Sequence, residues 1–118
     1  MTEIRIIVSF EEGFRAYQGA LTAVIKILRP DAEVMTVEPE KIDGAARRFP
    51  PDIVIGNRFE GVDLECVPAW VELSLDPTQW TRIKVNGDYS EIINPTLDEL
   101  LVIIDEVAQL PRRGADCF

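Results

Sequence analysis

The chain has 118 residues, 12 Lys plus Arg against 21 Asp plus Glu for a formal charge of −9, and no histidine. Such an acidic chain repels phosphate backbones and anionic membranes, and the missing imidazole excludes Ser-His-Asp and Cys-His nucleophile pairs, imidazole metal ligands and phosphohistidine chemistry. With 47% apolar and 28% charged residues it has the composition of a single globular domain, able to bury a core without a metal or a disulfide.

Residues 4–10, Ile-Arg-Ile-Ile-Val-Ser-Phe, form a short β-branched apolar run and predict a strand covered on both faces. A helix follows, with Phe14, Tyr17, Leu21, Val24 and Leu28 on one stripe and Pro30 as the stop. Gly19 and Ala20 are expected to let this helix approach the sheet closely. Residues 33–37 read as a second strand ended by Pro39. A short helix over 40–49 would then place Ile42, Ala45, Ala46 and Phe49 on one face until Pro50-Pro51 breaks it. Residues 52–57, Asp-Ile-Val-Ile-Gly-Asn, predict a third strand, and this alternation of strands and helices specifies βαβ units with a parallel sheet.

The second half is less regular. No helical stripe appears between Asn57 and Ala69, so an irregular loop is expected there. Over 69–75, Val71, Leu73 and Leu75 alternate with Trp70, Glu72 and Ser74, which predicts a strand with one wet face. Asn86-Gly87 is a strong two-residue turn signal and places a β-hairpin at 81–93. Thr96-Leu97-Asp98-Glu99 is a capping box, opening a helix whose core face is Leu97, Leu100, Leu101, Ile104 and Val107 and which Pro111 ends. One domain over 1–111 and a flexible tail over 112–118 are expected.

Cys66 and Cys117 lack CxxC spacing and read as two ordinary thiols. No signal-peptide pattern opens the chain and no apolar run approaches the roughly 18 residues of a membrane helix, so a cytoplasmic protein is expected. Arg47-Arg48 and Arg112-Arg113 are too short to reverse the acidic balance and read as a solvated helix end and a tail.

In a parallel sheet, polar residues from distant segments converge at the carboxyl ends of the strands. The candidates there are Ser9, Phe10, Glu11 and Glu12 after the first strand, Asn57 and Arg58 after the third, and Ser74 after the fourth. Glu11 and Glu12 are weak candidates for Mg²⁺ or Ca²⁺, since hard cations take oxygen ligands. Their simpler reading is as solvated acids that complement the start of the first helix. Phe59, Trp70, Trp80 and Tyr89 come from the irregular half. Each reads singly as packing, and several exposed together would make an interface patch.

The opening strand and helix, the Pro51-Asp52-Ile53-Val54-Ile55-Gly56-Asn57 stretch, and Asn94-Pro95 before Leu97-Asp98-Glu99-Leu100-Leu101 resemble a response-regulator receiver domain of the flavodoxin-like class. The resemblance covers 4–58 and 92–110. It implies a three-layer α/β/α fold with a mainly parallel five-stranded sheet of order 2-1-3-4-5, here degenerate in its second half. It also implies that each catalytic position is altered: Asn57 stands at the phosphoacceptor, Asn94 at the conserved-type lysine position, Ser9 and Phe10 at the acidic pair, and only Ser74 keeps its type. An amide lacks the carboxylate nucleophile that forms an acyl phosphate. The Ser9-Phe10-Glu11-Glu12-Gly13 turn places two negative charges where a flavin phosphate would sit, so no cofactor is expected.

Two functions follow as expectations. The first is a non-catalytic, receiver-like signalling module that binds a protein partner or a second copy of itself. The second is a small-molecule-binding or enzymatic domain with a pocket at the strand ends, using Glu11, Glu12, Asn57 and Arg58.

Overall fold

A computed structural model describes residues 3–110; the arginine pair at 112 and 113, Cys117 and the expected tail lie outside the described residues. The elements run β1 (Arg5–Ser9), α1 (Arg15–Leu28), β2 (Glu33–Thr36), α2 (Ile42–Arg48), β3 (Ile53–Gly56), β4 (Ala69–Glu72), β5 (Trp80–Val85), β6 (Asp88–Ile93) and α3 (Leu97–Ala108). Single 3₁₀ turns at Glu12–Phe14 and Pro39–Lys41 lead into α1 and α2.

The six strands form one sheet in the order β2-β1-β3-β4-β5-β6. β1 pairs in parallel with β2 and β3, and β3 with β4, as the βαβ pattern predicts. β5 and β6 are antiparallel to their neighbours. The fold is therefore α/β, but the mainly parallel five-stranded flavodoxin-like sheet is not found. The physical reason is local: a parallel β5 needs a crossover long enough to return along the sheet. Residues 73–79 instead form a tight polar turn in which Asp76 Oδ1 accepts from the Thr78 amide at 2.9 Å and from its hydroxyl at 2.7 Å. The hairpin forms as expected, with Asn86 and Gly87 at φ 50° and 88° between β5 and β6.

Two apolar clusters hold the sheet. On the first face, Ile6, Val8, Ile53, Ile55, Val71 and Ile83 pack under α1 and α3. On the second, Ile7 and Val54 pack under Ile42, Ala45 and Ala46 of α2, with Phe59 and Val67 from the loop that joins β3 to β4. Among the described residues no helix covers the second face over β5 and β6, so the three-layer arrangement stops near β4. This loop also carries Cys66, which is disulfide-bonded rather than the ordinary thiol expected. Among the described residues, no helix is long and apolar enough to cross a membrane.

The stripe expected on α1 is shifted. Leu21, Thr22 and Ile25 are its buried residues, while Phe14, Tyr17 and Leu28 are partly exposed. The 3₁₀ turn changes the helical phase before Arg15, so Phe14 is a cap residue and lies outside the 3.6-residue pattern. Tyr17 packs on Phe10 instead, with ring centroids 5.2 Å apart. Gly19 and Ala20 are exposed, so they do not serve close approach to the sheet. In α3 the capping box is present: Thr96 Oγ1 accepts from the Glu99 amide at 3.1 Å, and Glu99 Oε1 accepts from the Thr96 amide at 3.0 Å. Leu100, Leu101, Ile104 and Val107 are buried as expected, and Leu97 is exposed.

Candidate functional site

The carboxyl ends of β1, β3 and β4 lie side by side because Ser9 pairs with Gly56 and Gly56 with Glu72. That register brings the residues following β1 and β3 into contact. The Glu11 amide donates to Asn57 Oδ1 at 2.9 Å, and Asn57 Nδ2 donates to Glu11 Oε1 at 3.1 Å. Arg58 then bridges two acids, from Nη1 to Glu11 Oε2 at 3.3 Å and from Nη2 to Glu60 Oε2 at 2.6 Å. The side chains of Glu11, Asn57, Arg58 and Glu60 thus partner one another.

Phe10 borders a hollow between α1 and α2 and offers it no polar side-chain group. It is buried in the core beneath α1, and its amide donates to Gln18 Oε1 at 2.8 Å. Ser9 is fully buried, and its hydroxyl has no hydrogen-bond partner among the described residues. Glu12 sits exposed in the 3₁₀ turn. Ser74 belongs to the β4–β5 turn, where its hydroxyl donates to the Asp76 carbonyl at 3.1 Å. Asn94 is exposed at φ 49° beyond the edge strand, and no hydrogen bond joins it to Ser9, Asn57 or Ser74 among the described residues. The eight candidates therefore split. Glu11, Asn57 and Arg58 meet, Ser9 and Phe10 are core, and Glu12, Ser74 and Asn94 stand apart from that cluster.

Three open hollows flank the cluster. One of about 1410 Å³ lies between α1 and α2 and is lined by Glu11, Arg15, Thr22, Glu38 and Arg58, among others. A second, about 630 Å³, is lined by Arg58, Phe59, Glu60 and Glu72 among others, and a third, about 530 Å³, by Asn57, Ser74, Trp80 and Arg82 among others. The acids of the region whose ionisation is shifted are both held below the usual carboxylate range: Glu60 by the Arg58 guanidinium and Asp76 by hydrogen bonds from the Thr78 amide and hydroxyl. General-acid work at neutral pH needs a carboxyl pushed the other way. No group of three or more His, Cys, Asp or Glu side chains able to hold a metal ion occurs among the described residues.

The residue that sequence reasoning missed is Glu72. From the wet face of β4 its carboxylate accepts from the Phe59 amide at 3.0 Å and pairs with Arg82 on β5. Only its place in the alternating strand hinted at this, since neither partner is near it in sequence.

The aromatic candidates also separate. Phe59 is buried and meets Trp70 edge-on at 6.0 Å, so it is core rather than interface. Trp70 is half-buried and meets Tyr89 at 6.4 Å. Trp80 and Tyr89 are each 55% exposed and Ile93 is 45% exposed. By strand register these three share the second face with Arg82, Lys84 and Glu91. This is the uncovered part of the sheet.

The chain matches no protein-family model, no curated protein and no solved structure. Nothing in these comparisons identifies a receiver-like domain, and that reading rests on the sequence residues quoted for it.

Proposed function

We propose that this domain is a non-catalytic contact module: its first half is receiver-like, it does not accept a phosphoryl group at Asn57, and it binds a protein partner through the open face of β5 and β6. The observation that carries the reading is the exposure of Trp80, Tyr89 and Ile93 together on one sheet face, with no helix above them among the described residues. Burying large aromatic side chains is among the strongest local contributions to association, and contiguous exposed apolar surface marks such sites. The small-molecule alternative has less support, because Glu11, Asn57 and Arg58 partner one another instead of presenting free groups to a ligand.

Two experiments test it. A photo-crosslinking phenylalanine is placed at Trp80, Tyr89 or Val102, the last an equally exposed position on α3, in cells that make the protein naturally. Discrete adducts from Trp80 and Tyr89 that Val102 does not give are expected; equal yields from the three positions, or none, would refute the contact face. In parallel, amide NMR spectra are recorded with Mg²⁺ and beryllofluoride. Unchanged Ser9, Asn57 and Ser74 resonances are expected, and large shifts there would refute the non-catalytic reading.

A further inference from the structure

Resting on the contact-module reading, we infer that the outer edge of β6 takes an extended segment of a basic, apolar protein partner as an added strand. β6 is the last strand of the sheet, and among the described residues nothing pairs with its outer side. Proteins usually blunt such an edge with proline, lysine, a bulge or a short strand. β6 has none of these: it runs Asp88-Tyr89-Ser90-Glu91-Ile92-Ile93 without proline or a cation, and every residue keeps its partner on β5 without a bulge.

The hairpin decides which backbone groups are available. With the two-residue Asn86-Gly87 turn, Val85 and Asp88 form the closing hydrogen-bonded pair, so the pairs Ile83 with Ser90 and Thr81 with Ile92 also bond inward. Tyr89, Glu91 and Ile93 therefore direct their N–H and C=O groups outward. Their side chains lie on the uncovered face, so an added strand meets a row of aromatic, acidic and aliphatic groups.

Charge chooses the occupant. The acid that β6 sets on the open face is Glu91, in no ion pair among the described residues and accepting a 3.5 Å hydrogen bond from the Tyr89 hydroxyl, within a chain of −9; Asp88 lies on the other face. Arg82, directly opposite Glu91, is already taken by Glu72. An incoming strand is favoured when it sets Lys or Arg against Glu91 and apolar side chains against Tyr89 and Ile93, since opposite charges directly across a ladder attract. A second copy of this chain fits less well. The antiparallel self-pairing that aligns Tyr89 with Ile93 sets Glu91 against its own copy, and the two chains repel through their net charge.

The probe is a short amidated peptide in which isoleucine and threonine alternate around a central arginine. It is titrated into the ¹⁵N-labelled protein and followed by amide shifts and hydrogen exchange. Slowed exchange of the Tyr89, Glu91 and Ile93 amides is expected, with little change at the already bonded Ser90 and Ile92. The variant Glu91→Lys should weaken binding about tenfold, and exchanging the peptide's arginine for glutamate should do the same. Equal binding of both peptides, or protection that misses the outward amides, would overturn the inference. So would concentration-dependent protection of those amides without peptide, which would make a second copy the occupant. Crosslinks at Trp80 and Tyr89 with no protection by the peptide would leave the contact face standing and remove only the strand-addition reading.

Discussion

Gly56 closes β3 where three strand ends meet, and replacing it with alanine separates local propensity from tertiary constraint. An alanine in a strand is ordinarily better than glycine by about 0.5–1 kcal/mol, because glycine loses more backbone freedom on folding. Here the added Cβ would collide with the Ser9 carbonyl oxygen and lie 2.8 Å from Phe59 Cε1. A side chain can rotate away, but the carbonyl belongs to β1 and can move only if the β1–β3 ladder opens. Overpacking of this kind costs about 2 kcal/mol and a weakened ladder hydrogen bond about 1 kcal/mol, against the gain of about 0.7 kcal/mol from removing glycine. Gly56→Ala is therefore expected to lose about 2 kcal/mol, which lowers the urea midpoint by roughly 1–2 M. Urea unfolding followed by tryptophan fluorescence measures this, with Gly19→Ala as the control, since nothing lies within 4 Å of a Cβ there. The control should gain up to about 1 kcal/mol. A Gly56→Ala variant as stable as the natural chain would refute the close approach of β1 and β3.

Ser9→Ala should stabilise the protein by about 1 kcal/mol, because the Ser9 hydroxyl is buried without a partner among the described residues; a loss in urea unfolding would show that the hydroxyl is satisfied. Thr96→Ala should cost about 1 kcal/mol by breaking the capping box, with the loss confined to α3 in hydrogen exchange. Arg29 joins α1 to α3 by two hydrogen bonds of 2.7 Å to Asp105, and that hydrogen bonding holds the Asp105 carboxyl below its ordinary value. A depressed carboxylate contributes stability above its unfolded value of 3.8 and loses it as pH falls through the lower folded value. Asp105→Asn should therefore cost up to about 1 kcal/mol at pH 7, a partly exposed pair being weak, and approach the natural chain at pH below 3.8. A cost independent of pH would refute the ion-pair account.

The sequence by itself determined the elements whose signals are local. The β-branched runs of β1 and β3, the Asn86-Gly87 turn and the Thr96 capping box each depend on side chains within a few residues of one another. They appear in the fold at nearly the expected bounds. The half-wet character of β4 was legible for the same reason. Three of the four residues of the strand-end cluster were legible too, because Glu11, Asn57 and Arg58 follow directly from the ends of two parallel strands, whereas Glu60 was not singled out. What depended on distant partners was decided by the tertiary structure. The buried face of α1 turned away from Phe14 because a 3₁₀ turn reset its phase, and Phe59 became core because a loop folded over Val54 and Trp70. Glu72 found the Phe59 amide and Arg82 only when β4 lay between β3 and β5. Gly56, which reads in sequence as a simple strand end, faces a carbonyl across the ladder. Most consequential is the direction of β5: a short polar turn after β4 reverses the chain, no helix among the described residues covers the second face beyond β4, and the aromatic surface of β5 and β6 stays open there. Periodicity reports which side of its own element a residue occupies, but whether that side is covered depends on every other element packed against it.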